Sequence, residues 1–209
     1  MSWQSLLNKP APTVTIPDHN GQPYTIEGGK DDLPTALFFY PKSGSYGCTK
    51  EACQFRDAIA DKPNFSPEKL RVIGISQDSV EKQKAFVEKQ KLTYPILSDE
   101  KGEARKAYHV GRGMLGLTDG RVTFIIDGKG IVRDAFDSVM NFNAHCKFIE
   151  KWLDKLEKEK SAAEGSAAQP TTEASATETP AVADSEAPEN PADAAAEAKP
   201  EQTAAEKAA

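Results

Sequence analysis

Thr35-Ala36-Leu37-Phe38-Phe39-Tyr40-Pro41-Lys42-Ser43-Gly44-Ser45-Tyr46-Gly47-Cys48-Thr49-Lys50-Glu51-Ala52-Cys53 is the stretch on which the fold turns. It opens as a short apolar run with consecutive aromatics. Such a run, closed by proline, reads as a strand buried on both faces. Pro41 stops it, and the Ser- and Gly-rich segment from Lys42 to Gly47 is a turn. From Thr49 onward, Lys50, Glu51, Ala52, Gln54, Arg56 and Ala58 are mostly good helix formers. Strand, turn and helix in that order place Cys48 in the first turn of a helix that follows a central strand.

That position carries chemistry. The first turn of a helix has unpaired N–H groups and the positive end of the macrodipole, and both favour a thiolate over a thiol. A nearby cation adds to the effect. The hydroxyl of Ser45 could hydrogen-bond the sulfur or a bound oxygen. Cys53 follows in the same helix, and at that spacing the two Cα atoms stand about 8.6 Å apart. A disulfide does not close beyond about 7 Å. The pair can join only if this turn of helix unwinds, which suggests a redox cycle with local unfolding rather than a structural staple. The plainer reading makes both thiols small hydrophobes, with Cys53, Phe55 and Ile59 on one buried face. The proline-turn-helix setting argues against it for Cys48.

Outward from this stretch, strands and helices alternate. Val14 and Ile16 alternate with Thr13 and Thr15, Asn20-Gly21 is a hairpin turn, and Tyr24-Thr25-Ile26 returns. Arg71 to Ser76 is a second buried strand. Ser79 caps a helix from about Val80 to Gln90, and Ser98 or Asp99 caps one that runs through Ala104 to Tyr108. Gly111 to Gly120 is a mobile or closely packed loop. Arg121 to Asp127 is a third strand, and Asp127-Gly128-Lys129-Gly130 turns it into a partner, Ile131 to Phe136. Phe142, Ile149, Trp152, Leu153 and Leu156 recur at helical spacing and close the globular part near Lys158. The pattern indicates an α/β fold with a mixed central sheet flanked by helices and an N-terminal β-hairpin.

The chain has 209 residues, a formal net charge of -6 and a hydrophobic fraction of 38%, which is low because of the C-terminus. From 159 to 209 Ala, Glu, Pro, Ser and Thr dominate and no aromatic residue occurs. Such a segment cannot bury enough surface to offset its ordering entropy, so a disordered acidic tail is expected beyond a single domain at 1–158. Three cysteines are too few for a disulfide framework, which points to a reducing compartment. The N-terminus lacks the pattern of a signal peptide and no run has the length of a membrane span. A cytoplasmic location, with the nucleus also open, is the expectation, without membrane or nucleic-acid partners.

Phe38-Phe39-Tyr40-Pro41-Lys42 and Gly47-Cys48-Thr49-Lys50-Glu51-Ala52-Cys53-Gln54-Phe55-Arg56-Asp57 resemble the peroxiredoxin Q family, also called bacterioferritin comigratory proteins. The resemblance covers about Leu6 to Leu156 and implies a thioredoxin-like fold. It places Cys48 as peroxidatic cysteine, Cys53 as resolving cysteine, Pro41 and Ser45 in the motif before Cys48, and Arg121 as the active-site arginine. Arg121 fits independently, since it begins a core strand and its planar donors suit two oxygens at once. Ser45 stands where the family usually has Thr, and Tyr46 where it has Pro. Ser keeps the hydroxyl without the methyl that holds the rotamer, and Tyr makes a less rigid loop.

The family reading implies hydrogen peroxide and alkyl hydroperoxides as substrates, thioredoxin as reductant, a monomer, and no metal, haem or flavin. Other readings stay open at this point. A general thiol–disulfide oxidoreductase usually carries Cys-x-x-Cys. A redox sensor would relay oxidation to a partner, with the tail as contact. A zinc site is poorly supported by the cysteine spacing. Cys146 is expected to be a partly buried spare thiol, and His109 and His145 structural or exposed.

Overall fold

The structure, a computed structural model, describes residues 2–113 and 116–166, the last four without their side chains. The first hairpin pairs β1, Val14–Pro17, with β2, Pro23–Ile26. Its turn is held by Asp18, whose carboxylate accepts from the N–H groups of Asn20 and Gln22 at 2.8 and 2.9 Å, and Gly21 supplies the left-handed backbone at φ +78°. That is the Asn-Gly turn chemistry expected from the sequence.

The main sheet contains β3, Thr35–Phe39, β4, Arg71–Ser76, and β5, Ile96–Ser98. A two-residue pair, β6, Arg112–Gly113, and β7, Thr118–Asp119, precedes β8, Val122–Ile126, and β9, Val132–Asp137. The helices are α1, Tyr46–Asp61, α2, Val80–Gln90, α3, Glu103–Ala107, and α4, Asn143–Ser166. Strand order in the sheet is β5-β4-β3-β8-β9. β4 runs parallel to β3 and β5, whereas β8 runs antiparallel to β3 and to β9. This is the mixed sheet expected.

β3 is central, and every one of its residues is buried. Its alternation splits the core in two, as a pleated strand must. Ala36, Phe38 and Tyr40 face one layer with Phe55 of α1, Phe86 of α2 and Ile149 and Leu153 of α4. Leu37 and Phe39 face the other, with Ile16, Ile26, Ala104, Tyr108 and Phe124. Phe38 stacks on Phe55 with ring centroids 4.7 Å apart. Burying each such aromatic stabilises the fold by about 1.5–3 kcal/mol. Gly74 in β4 makes room for this layer: a Cβ there would lie 2.6 Å from Ile96 Cδ1 and 2.7 Å from Phe38 Cζ.

Some boundaries differ from the sequence reading. α3 starts at Glu103 with Gly102 at its N-cap, while Asp99 serves the helix from outside by accepting from the N–H groups of Ala104 and Arg105 at 3.0 and 2.9 Å. The Gly111–Gly120 loop is closely packed at its base, where a Cβ on Gly120 would sit 2.5 Å from the Gly111 carbonyl oxygen. Met114 and Leu115 lie outside the described residues. α4 continues to Ser166, past Lys158, because Glu159, Lys160, Ala162 and Ala163 are all tolerant of helix. The remainder of the tail expectation, 167–209, lies outside the described residues. Among the described residues no helix is long and apolar enough to cross a membrane.

Candidate active site

The site forms where β3 ends. Ser45, in extended conformation, is the N-cap of α1, which starts at Tyr46, so Cys48 lies in the first turn as expected. Its side chain is buried at 1% exposure. Register explains its neighbour. Val122 pairs with Phe39, so Arg121, one residue before β8, falls beside the end of β3 and under the start of α1. Arg121 is itself buried, and its Nη2 donates to Cys48 Sγ at 3.2 Å. Its Nη1 pairs with the Glu51 carboxylate, and its Nε donates to the Val139 carbonyl at 3.0 Å. Gly47 keeps this corner open, since a Cβ there would meet Phe142 Cδ1 at 3.0 Å and Arg121 Nη2 at 3.4 Å.

One guanidinium thus spans the thiol and a carboxylate. Burial alone would lower the Arg121 titration, but Glu51 and Cys48 beside it hold the guanidinium above its ordinary value. Burial pushes Glu51 up to about 7 despite the opposing pull of Arg121. His145 from α4 backs Glu51, with Nδ1 3.5 Å from Oε1. Burial pushes its imidazole down to about 4.

A second set of contacts fixes the loop ahead of Cys48. The Tyr40 hydroxyl donates to Gln83 Oε1 at 2.8 Å, as does the Ser43 hydroxyl. The Ser43 N–H donates to Asp78 Oδ2 at 2.6 Å. Desolvation works to raise the Asp78 carboxyl, but Lys82 and the donors on Ser43 and Ser76 outweigh it and hold it below its ordinary value. Arg105, buried at 6% exposure, donates to the carbonyls of Tyr40 at 2.9 Å and Gly120 at 3.2 Å. It therefore ties the end of β3 to the residue before Arg121.

The structure brings Cys48 and Arg121 into contact and puts Pro41, half-buried, at the end of β3. Ser45 differs from expectation. Its hydroxyl donates to the Lys42 carbonyl at 2.9 Å, closing the turn around Gly44, and makes no bond to the sulfur. The same carbonyl accepts the Ser45 N–H at 3.3 Å, and a serine hydroxyl so close to an upstream carbonyl turns to it readily. Cys53 lies in the same helix as Cys48, is half-buried, and its Sγ donates to Gln90 Oε1 at 3.6 Å. The cysteines are all free thiols. Cys146 is buried, with Sγ 3.8 Å from the Gln54 carbonyl, and burial pushes its thiol up to about 11. Among the described residues no cluster of His, Cys, Asp and Glu is arranged to hold a metal ion.

The sequence reading missed Glu51, His145, Asp78, Gln83 and Arg105. For two of them a signal existed. Cys48, Glu51, Ala52 and Phe55 fall at helical spacing on the buried face of α1, and His145 stands one turn before Ile149 on the buried stripe of α4. A charged or titratable residue inside an apolar stripe marks a buried polar site.

A thiol at a helix N-terminus, gripped by a buried arginine at the end of the central strand of a thioredoxin-like sheet, defines a thiol-based peroxidase. Residues 7–135 match the AhpC/TSA family, and the chain belongs to it, in its peroxiredoxin Q branch. It is similar to the chloroplastic peroxiredoxin Q of Sedum lineare, 35% identical over 145 residues that span 69% of this chain and 76% of that protein. The chloroplastic peroxiredoxin Q of Arabidopsis thaliana is 37% identical over 143 residues, 68% of this chain and 64% of the relative. Among solved structures, peroxidoxin BcpB from Mycobacterium tuberculosis superposes with a TM-score of 0.61 at 35% identity, covering 73% of this chain and 96% of that one.

Proposed function

We propose that the chain reduces hydrogen peroxide and organic hydroperoxides through Cys48, in antioxidant defence, with Cys53 as resolving thiol and thioredoxin as reductant. The observation that carries this reading is the 3.2 Å contact from Arg121 Nη2 to Cys48 Sγ, between two buried side chains. The guanidinium and the first-turn N–H groups stabilise the thiolate and the negative charge that develops as the O–O bond breaks. Pro41 and Ser45 shape the loop that admits the peroxide. The Ser45 hydroxyl, now on the Lys42 carbonyl, would turn to the peroxide oxygen when substrate binds.

Attack gives Cys48 sulfenic acid and water or an alcohol. In the intact helix Cys53 stands about 8.6 Å away by helix geometry, so the first turns of α1 must unwind before the two sulfurs condense. A dithiol donor then reduces the disulfide. Resolution within one chain favours a monomer, which light scattering tests. A folded domain closed by α4 and followed by an acidic tail, in the reducing setting of the cytoplasm or nucleus, completes the reading.

The decisive assay is peroxide consumption with thioredoxin, thioredoxin reductase and NADPH. The wild type turns over, Cys48→Ser is inactive, and Cys53→Ser is crippled with thioredoxin. An inactive wild type whose Cys48 is nonetheless oxidised by peroxide would instead favour a sensor that passes its oxidation to a partner.

A further inference from the structure

The Glu51 carboxylate is fully buried on α1, one turn beyond Cys48. Arg121 holds one of its oxygens, Oε2, while Oε1 has no hydrogen-bond partner. What Oε1 faces is His145 Nδ1, at 3.5 Å. The imidazole is oriented by its other contacts. Nε2 lies 2.9 Å from the Ser138 carbonyl, which can only accept, so Nε2 carries the hydrogen. In the neutral ring Nδ1 is then a lone pair, and it takes the Thr123 hydroxyl at 2.7 Å. An ionised Oε1 that has no donor of its own and faces that electron-rich nitrogen in a dry site is unfavourable, and a proton on the Glu51 carboxyl removes the conflict.

The groups facing Glu51 are Arg121 at the start of β8, His145 from α4 and Cys48 on its own helix, with Tyr94 and Cys146 at longer range. Counting charge over the core of this cluster, thiol, guanidinium and carboxylate sum to neutral. Thiolate, guanidinium and protonated carboxyl also sum to neutral. Ionising both acids at once would leave an uncompensated buried charge, which is strongly disfavoured. The upward push of burial on Glu51, to about 7, agrees with its holding a proton near neutral pH.

We propose that Glu51, backed by His145, is the proton store of this site: it holds a proton while Cys48 is a thiolate and gives it up when the sulfur becomes a sulfenic acid. The inference rests on the peroxidase reading above. In the step itself, the thiolate sulfur forms a bond to the terminal oxygen of the hydroperoxide. The O–O bond breaks and its electron pair leaves with the departing oxygen, so sulfur is oxidised and peroxide reduced. The departing oxygen takes one proton and Glu51 ends as a carboxylate. Reduced site plus hydroperoxide thus gives sulfenic acid plus alcohol or water, with no net proton drawn from solution. Glu51 and His145 act through Arg121 and Cys48 and are positioning residues.

The test uses the full chain carrying Cys53→Ser, which stops the cycle at the sulfenic acid. Stoichiometric hydrogen peroxide is added in weakly buffered solution with a pH indicator, and sulfenic acid is counted by dimedone labelling and mass spectrometry. Slightly below neutral pH the Cys53→Ser protein takes up almost no protons, whereas adding Glu51→Gln brings uptake to about one proton per sulfenic acid. As the pH is raised far enough for Glu51 to ionise beside the thiolate, uptake sets in for the parent as well. His145→Leu, which removes the electron-rich nitrogen facing Oε1, moves that onset to lower pH. An infrared difference spectrum of the Cys53→Ser protein alone supplies a second measurement if Glu51→Gln does not fold: peroxide abolishes a protonated-carboxyl band. Equal proton uptake with and without Glu51→Gln, or a carboxyl band unchanged by peroxide, overturns the proton store. An onset unmoved by His145→Leu overturns the part given to His145. Failure of Cys53→Ser to form any sulfenic acid overturns the peroxidase reading itself.

Discussion

Cys48, on α1, and Cys146, on α4 and packed against α1, are both buried thiols of one core layer, yet they meet opposite partners. Cys48 receives a donor from the Arg121 guanidinium at 3.2 Å. Cys146 faces an acceptor, the Gln54 carbonyl at 3.8 Å, and burial raises its thiol to about 11 despite Lys62 nearby. Burial by itself therefore does not make a thiol inert or reactive. A cation that is itself buried, and cannot be screened by water, separates the two.

The sharpest way to break this comparison is substitution of each thiol. Cys48→Ser should abolish peroxide consumption, while Cys146→Ser should leave the coupled assay at the wild-type rate. A slow Cys146→Ser enzyme would show that the second thiol takes part in the cycle. Next in size is the cation. Arg121→Gln should lower kcat/KM by about 10²–10³-fold, as for loss of one preorganised donor to a developing charge. Arg121→Lys should recover only part of that, because a single ammonium cannot fork between Cys48 and Glu51.

Alkylation sharpens the contrast without mutation. In native protein near neutral pH, iodoacetamide should label Cys146 only after unfolding, as peptide mapping would show, because the raised thiol stays protonated there. Cys146→Ala should be the mildest change, costing about 1 kcal/mol of stability by urea unfolding.

The Glu51–His145 pair gives a prediction in pH. The folded protein binds a proton on Glu51 between its ordinary 4.5 and about 7, where the unfolded chain has lost it, so this contribution to stability falls as pH rises through that window. His145 works the other way. Its pKa drops from 6.5 to about 4 in the fold, so its contribution is present above 6.5 and is lost as pH falls toward 4. The two slopes oppose each other in the overlap. Unfolding midpoints measured across pH should rise with pH in Glu51→Gln and fall with pH in His145→Leu. Parallel curves in both variants would remove the pair from the pH response.

Much of the fold was legible because it is local. The buried run Thr35 to Phe39, the turn after Pro41 and the amphipathic spacing of Ile149, Leu153 and Leu156 are each decided by neighbours in sequence. Cys48 was legible for the same reason. Arg121 needed one further step, the strand pairing that sets it beside Tyr40. Glu51 and His145 were not read as partners because each looks ordinary on its own helix, and it takes the packing of α1 on α4 to bring them face to face. The Ser45 hydroxyl lies on the Lys42 carbonyl and not on the sulfur, a turn contact that the spacing of hydroxyl and thiol in the sequence does not show.

α1 is held unevenly along its length. Cys48, Ala52, Phe55 and Ala58 are buried along one face, while Tyr46 at its first position is 73% exposed and in the turn before it a Cβ on Gly44 would touch nothing within 4 Å. In the peroxidase reading this makes the helix a clock. The sulfenic acid lasts as long as the first turn stays wound, and during that interval a second peroxide competes with Cys53 for the same sulfur. The peroxide concentration at which irreversible sulfinic acid starts to accumulate is then a direct reading of how often this end of the helix opens.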